Sequence, residues 1–111
     1  MGDIYYWDTP TQCQNINGTS HGAYPISNLK QKYILYTGTQ RHTCCAAGCG
    51  RDWQATAHVQ VNDGRKNGGT FEWFLVPTCN YHNSQGANPV FDANPSTMFV
   101  KVTDLVAAFG H

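Results

Sequence analysis

Charge is what this 111-residue sequence has least of. Only 13% of its residues are Asp, Glu, Lys or Arg, against roughly 25% in an average globular protein. Seven basic and seven acidic side chains cancel, so the net charge with His neutral is zero. A domain that binds through phosphate contacts carries a basic excess. Here a local grouping of Arg41, Arg51, Arg65 and Lys66 is the exception, so nucleic acid is open as a partner but not the favoured one. Asn, Gln, Thr, Ser and Gly fill the polar quota, a composition that favours loops, strands and turns. Sparse charge also removes part of the usual protection against self-association. The expected partner is therefore another protein or a second copy of the chain.

Long apolar runs are missing too. None approaches the ~20 residues that a membrane-spanning helix needs. Met1-Gly2-Asp3-Ile4-Tyr5 has neither the basic nor the apolar region of a signal peptide, which makes the expected compartment the cytoplasm. The sequon Asn17-Gly18-Thr19 keeps secretion as the alternative. There is no internal repeat and no low-complexity segment. At this length a single domain buries about two-thirds of its unfolded surface, enough for a core of its own.

The chain does have five cysteines, Cys13, Cys44, Cys45, Cys49 and Cys79. An odd count does not close a disulfide framework. Four of the five lie in a stretch that also holds His58 and His82, an arrangement that favours metal over disulfides.

Turn chemistry divides the rest. Thr9-Pro10, Asn17-Gly18, His21-Gly22 and Tyr24-Pro25 punctuate an irregular N-terminal arm over residues 1–31. Its aromatic cluster, Tyr5-Tyr6-Trp7, is read first as packing on the domain's own core, and second as an arm donated to a neighbour. Lys32 to Thr37, β-branched and aromatic, reads as a strand ended by Gly38. Trp53 to Val61 and Thr70 to Val76 read as the two strands of a hairpin, with Asn62-Asp63-Gly64 and Asn67-Gly68-Gly69 as turn signals between them. Pro77 is expected to end the second strand, and Cys79 to Gln85 to form a short helix. Residues 87–111 read as a turn-rich connection, a strand over Met98 to Val102 and a brief helix capped by Thr103-Asp104.

The expected fold class is thus small α+β. Its centre, residues 44–86, is a treble-clef-like unit of cysteine loop, β-hairpin and short helix. Residues three apart in a helix's first turn share a face, so Cys79 and His82 point the same way. Glycines at Gly48 and Gly50 let two thiolates converge from the loop. Cys45, Cys49, Cys79 and His82 are the expected ligands of a structural zinc ion. Cys45 is preferred because its shorter loop to Cys49 suits a knuckle, with Cys44 as the alternative. In a chain of this size such a metal supplies much of the folding free energy.

Ala57-His58-Val59, then Gly68-Gly69, Leu75-Val76-Pro77-Thr78-Cys79 and Cys79-Asn80-Tyr81-His82-Asn83 resemble, in this order, the HNH endonuclease-like treble clef. The resemblance covers residues 44–83. It implies His58 as the general base that activates water, and Asn83 as a group beside a second, catalytic divalent cation. Two positions depart from that family. Ala57 stands where an acidic residue often helps bind the catalytic ion, and Phe74 where an Asn orients the His-bearing loop. The residues therefore favour His58 as a structural histidine and the chain as a degenerate member.

Three functions follow: a zinc-stabilised, non-catalytic binding or self-assembly module; a metal-dependent HNH-type endonuclease; and a secreted, disulfide-containing structural protein. The first is preferred, and the chain leans away from being an enzyme. Trp53, Phe71, Trp73, Phe74, Tyr81 and Phe99 could stack on bases, but a small domain needs such side chains in its core.

Overall fold

The computed structural model describes residues 4–15, 27–61, 66–67, 70–71, 73–83 and 90–110. The sequon, His21 and Arg65 lie outside them, as do most of the two turns expected at the hairpin tip. The architecture is α+β, a five-stranded antiparallel sheet with three helices among the described residues.

The hairpin is present. Strand β2 (Ala55–Val61) pairs antiparallel with β5 (Phe74–Thr78) from Ala55 opposite Thr78 to Val59 opposite Phe74. Two-residue strands β3 (Lys66–Asn67) and β4 (Thr70–Phe71) pair near its tip. Pro77 does not end the second strand; it lies within β5, opposite Thr56. The chain then turns into the short helix α2 (Asn80–Asn83).

Part of the expected irregular arm is a strand. Strand β1 (Thr11–Asn15) lies between β2 and β6 (Val90–Ala93), giving the order β6-β1-β2-β5-β7 with β7 at Val100–Lys101. The alternation is there: Thr11 and Cys13 are buried, Gln12 and Gln14 exposed. It is written in polar residues, so hydrophobicity does not reveal it. The same arm packs Tyr5 and Trp7 on the domain's own core and leaves Tyr6 63% exposed. Tyr5 bridges to Phe99 through paired backbone hydrogen bonds. Trp7 meets Phe99 edge-on with ring centres 5.0 Å apart, and Tyr5 meets Phe74 at 5.6 Å.

The segment expected as a third strand is instead helix α1 (Leu29–Thr37). A strand would set Tyr33, Leu35 and Thr37 on one face. In fact Tyr33 and Tyr36 are buried and Leu35 is 64% exposed. Leu29, Tyr33 and Tyr36 recur at the i, i+4, i+7 spacing of a helix face, and that period overrides the β-branched and aromatic composition. Gly38 stops the helix in a left-handed conformation (φ 70°), its N–H donating to the Ile34 carbonyl. The last helix, α3 (Val102–Phe109), begins one residue before the expected Thr103-Asp104 cap, and no side chain caps it.

Strand alternation sorts the core into two faces. Cys13, Ala57, Val59, Val61, Phe74, Val76, Phe91, Ala93 and Phe99 share the first with Cys44, Cys45, Ala46 and Cys79. Leu75 and Val100, opposite one another in the sheet, share the second with Tyr33, Tyr36, Trp53, Val102 and Leu105 under α1 and α3. The two helices are joined edge-on by Tyr36 and Phe109, and by Lys32 Nζ donating to the Gly110 carbonyl at 3.2 Å.

Candidate metal centre

The cysteine loop is fixed by its backbone. Thr43 bridges to Asp52, and the Cys44 amide donates to the Arg51 carbonyl, so the segment doubles back on itself. Cys49 N–H to Ala46 C=O closes the tip, where Gly48 takes a left-handed φ of 76° that other residues rarely adopt. The Cys45 amide donates to the Pro77 carbonyl, the Cys45 carbonyl accepts from Asn94, and the Ala47 amide donates to Asp92. The loop thus spans from β5 to β6, strands between which β2 and β1 lie in the sheet.

This lacing decides between the adjacent cysteines. Neighbouring side chains on an extended chain point to opposite sides, so only one can face the helix. That one is Cys44. The Sγ atoms of Cys44, Cys49 and Cys79 and a ring nitrogen of His82 all lie within 4.8 Å of one another. Cys45, preferred from the loop length, instead faces the core and is fully buried there. The shorter spacing counted for less than the backbone pairing of the loop. The other half is as expected: the Asn83 amide donates to the Cys79 carbonyl at 3.1 Å, closing the turn that sets Cys79 and His82 side by side.

The spacings suit one tetrahedral ion. Cys79 Sγ lies 3.2 Å from His82 Nδ1, Cys44 Sγ 3.6 Å from the same nitrogen, and Cys49 Sγ 4.0 Å from Cys79 Sγ. A tetrahedral ion with metal–sulfur bonds of ~2.3 Å holds its sulfur atoms about 3.8 Å apart. Outside the ligands, Ala46 N–H points at Cys44 Sγ at 3.5 Å. The His82 ring meets Tyr81 edge-on at 5.1 Å and Phe91 at 5.4 Å, which fixes its orientation. All five cysteines are free of disulfides. These four residues could hold a metal ion.

Thiol chemistry separates ligands from core cysteines. Burial raises the pKa of Cys79, but hydrogen bonds from His82, Cys44 and Cys49 outweigh it and bring the thiol down to about 6. Burial, helped by the neighbouring Cys79 and Cys49, holds Cys44 at about 11. One negative charge is thus concentrated on Cys79 and shared by its neighbours. A cation would let all three sulfurs ionise. Cys13, whose S–H donates to the Thr11 carbonyl, is pushed up to about 12 by burial, and Cys45 is raised well above the ordinary thiol range for the same reason. Both are neutral core side chains.

The two residues assigned to catalysis by resemblance fall elsewhere. His58 is opposite Leu75, and directly opposed residues share a face. It therefore lies on the helix-covered side, away from Cys79 and Phe91. It is only 7% exposed, its Nε2 has no hydrogen-bond partner among the described residues, and burial lowers its pKa. Asn83 is exposed at the end of α2. Of the candidate stacking aromatics, Trp53, Phe74 and Phe99 are buried, and Tyr81 is exposed beneath the Arg51 guanidinium at 5.0 Å.

No helix among the described residues is long and apolar enough to cross a membrane. Comparison with family models, curated proteins and solved structures finds no match to the chain.

Proposed function

We propose that the chain is a zinc-stabilised, non-catalytic binding or self-assembly module built on a treble-clef-like core of the HNH type. The observation that carries this reading is the convergence of Cys44, Cys49, Cys79 and His82. Three thiolates and an imidazole in a tetrahedral arrangement are a structural zinc donor set, with no ligand position left for a substrate. The order of cysteine loop, hairpin and α2 supports the HNH-like core. The placement of His58 supports the non-catalytic choice, because a general base has to reach its water, and this imidazole is buried on the face away from the cysteine cluster. Zero net charge argues in the same direction.

Native mass spectrometry with metal analysis tests the zinc reading. One zinc per chain is expected, and a chain that takes up no zinc contradicts it. Plasmid DNA supplied with magnesium, manganese or nickel is expected to show no nicking above the level of His58→Ala. Cleavage lost in that variant would restore the nuclease reading. Sedimentation at rising concentration reads out self-assembly, and a strictly monomeric chain would leave only a different protein as the partner.

A further inference from the structure

Among the five thiols, four are fully buried and Cys49 alone is half-exposed. It lines, together with His82, Arg51 and Tyr81, an open cavity of about 650 Å³. The centre therefore has one side turned to solvent, and on that side stands one sulfur. The Cys79 sulfur lies 4.0 Å from it. A disulfide needs ~2.05 Å, so a shift of about 2 Å joins them. The loop has room for that shift. Gly48 and Gly50 flank Cys49, and apart from the adjacent residues nothing lies within 4 Å of where a side chain on either would begin.

We propose that Cys49 is an oxidation site through which a peroxide releases the metal, by forming a Cys49–Cys79 disulfide. The inference rests on the zinc reading above and adds a means of control to it. The exposed Cys49 sulfur attacks one peroxide oxygen and the O–O bond breaks. The departing oxygen takes a proton and leaves as water (or an alcohol), and Cys49 becomes a sulfenic acid. The Cys79 thiolate then attacks the Cys49 sulfur, forming the S–S bond. The S–O bond breaks and hydroxide leaves, to be protonated to a second water. Two sulfurs have given up two electrons in all, and the peroxide has been reduced by two. The metal is left with Cys44 and His82, half its ligand set, and dissociates. Because those ligands tie the cysteine loop to α2, release unties the loop from that helix.

The test starts from protein shown by native mass spectrometry to carry zinc, so that failure of the metal reading is seen before any oxidant is added. Hydrogen peroxide is then applied with a chromogenic zinc chelator present, and the product is mapped as peptides without reduction. The expected result is stoichiometric zinc release, a Cys49–Cys79 linkage, and recovery of zinc binding after dithiothreitol. Cys49→His keeps a metal ligand but removes the exposed sulfur, and should release zinc at least roughly ten-fold more slowly. Cys13→Ser, in the core, should leave the rate unchanged. Zinc-loaded protein that keeps its metal under peroxide, that links a different pair, or that dithiothreitol does not restore would overturn the oxidation site and leave the zinc centre standing.

Discussion

On the helix side of the sheet, Tyr33, Tyr36, Leu75, Val100, Val102 and Leu105 are buried together beneath α1 and α3. On the other side, the sheet's own Val59, Val61, Phe74, Val76 and Phe91 meet thiols and alanines: Cys44, Cys45, Ala46 and Cys79. A large aliphatic or aromatic side chain contributes about 1.5–3 kcal/mol when fully buried, and a Cys or Ala less. The helix-covered face is held by area removed from water. The cysteine-loop face carries Tyr5, Trp7, Phe74 and Phe99 as well, but the loop itself brings only small side chains to it, and the backbone bonds that lace the loop across the sheet leave its tip to be anchored. Cys44 and Cys49 on the loop and Cys79 and His82 beyond the hairpin supply that anchor if one ion joins them. On the proposed zinc reading, the contrast puts the metal at the layer built from loops, not at the layer built from helices.

The sharpest way to break this contrast is to remove a ligand. Cys79→Ala takes away the thiolate on which the charge is concentrated. Structural zinc in small domains contributes about 10–16 kcal/mol of apparent binding energy, and a domain has only about 5–15 kcal/mol of stability in all. The variant is expected to lose its metal and its cooperative unfolding transition, which thermal melts followed by near-ultraviolet circular dichroism would read. Excess chelator on the wild type should act the same way.

On the helix face a single deletion is expected to cost less and to spare the metal. Leu105 is fully buried, and Leu105→Ala should cost about 2–5 kcal/mol in urea unfolding with zinc still bound. Loss of zinc in that variant would show that the two faces do not stand apart.

A pH series sharpens the comparison further, because His58 belongs to the helix face. Burial lowers its pKa below the ordinary histidine value, so the unfolded chain binds the proton more readily than the folded one. The stability this neutral imidazole contributes is complete above the unfolded pKa of ~6.5 and is lost as pH falls through the folded value. Wild type is therefore expected to lose more stability than His58→Leu between pH 7.5 and 5. Proton competition at the metal ligands is common to both proteins and cancels in the difference. Equal losses would contradict the buried, neutral His58.

The smallest expected effect is at Leu35, which faces solvent on α1. Leu35→Gln should change stability by no more than about 0.5 kcal/mol. A strand in this segment would have buried it.

What could be read beforehand followed the strength of the local signal. Strands β2 and β5 were legible because alternation and turn residues agree over a long stretch. Cys79 and His82 were legible because helical spacing leaves one geometry. Helix α1 runs against its residue types: Tyr33, Ile34 and Tyr36 are good strand residues, and only their burial period tells otherwise. Strand β1 is hidden in the sequence because Thr11, Gln12, Gln14 and Asn15 carry no hydrophobic signal; its place comes from pairing with β2 and β6. Loop length alone favours Cys45, and the backbone pairing that turns Cys44 to the cluster has no local signature. The bonds that decide the matter run to Arg51, Pro77 and Asn94, and nothing local in the loop announces them.

The cysteine loop offers two neighbouring sulfurs, and the centre uses one of them. Zinc content measured by native mass spectrometry on Cys44→Ser and Cys45→Ser tests it directly. Cys45→Ser is expected to keep one zinc per chain, since its side chain faces the core; Cys44→Ser is expected to lose it or hold it far more weakly. Zinc retained in Cys44→Ser and lost in Cys45→Ser would contradict the centre described above.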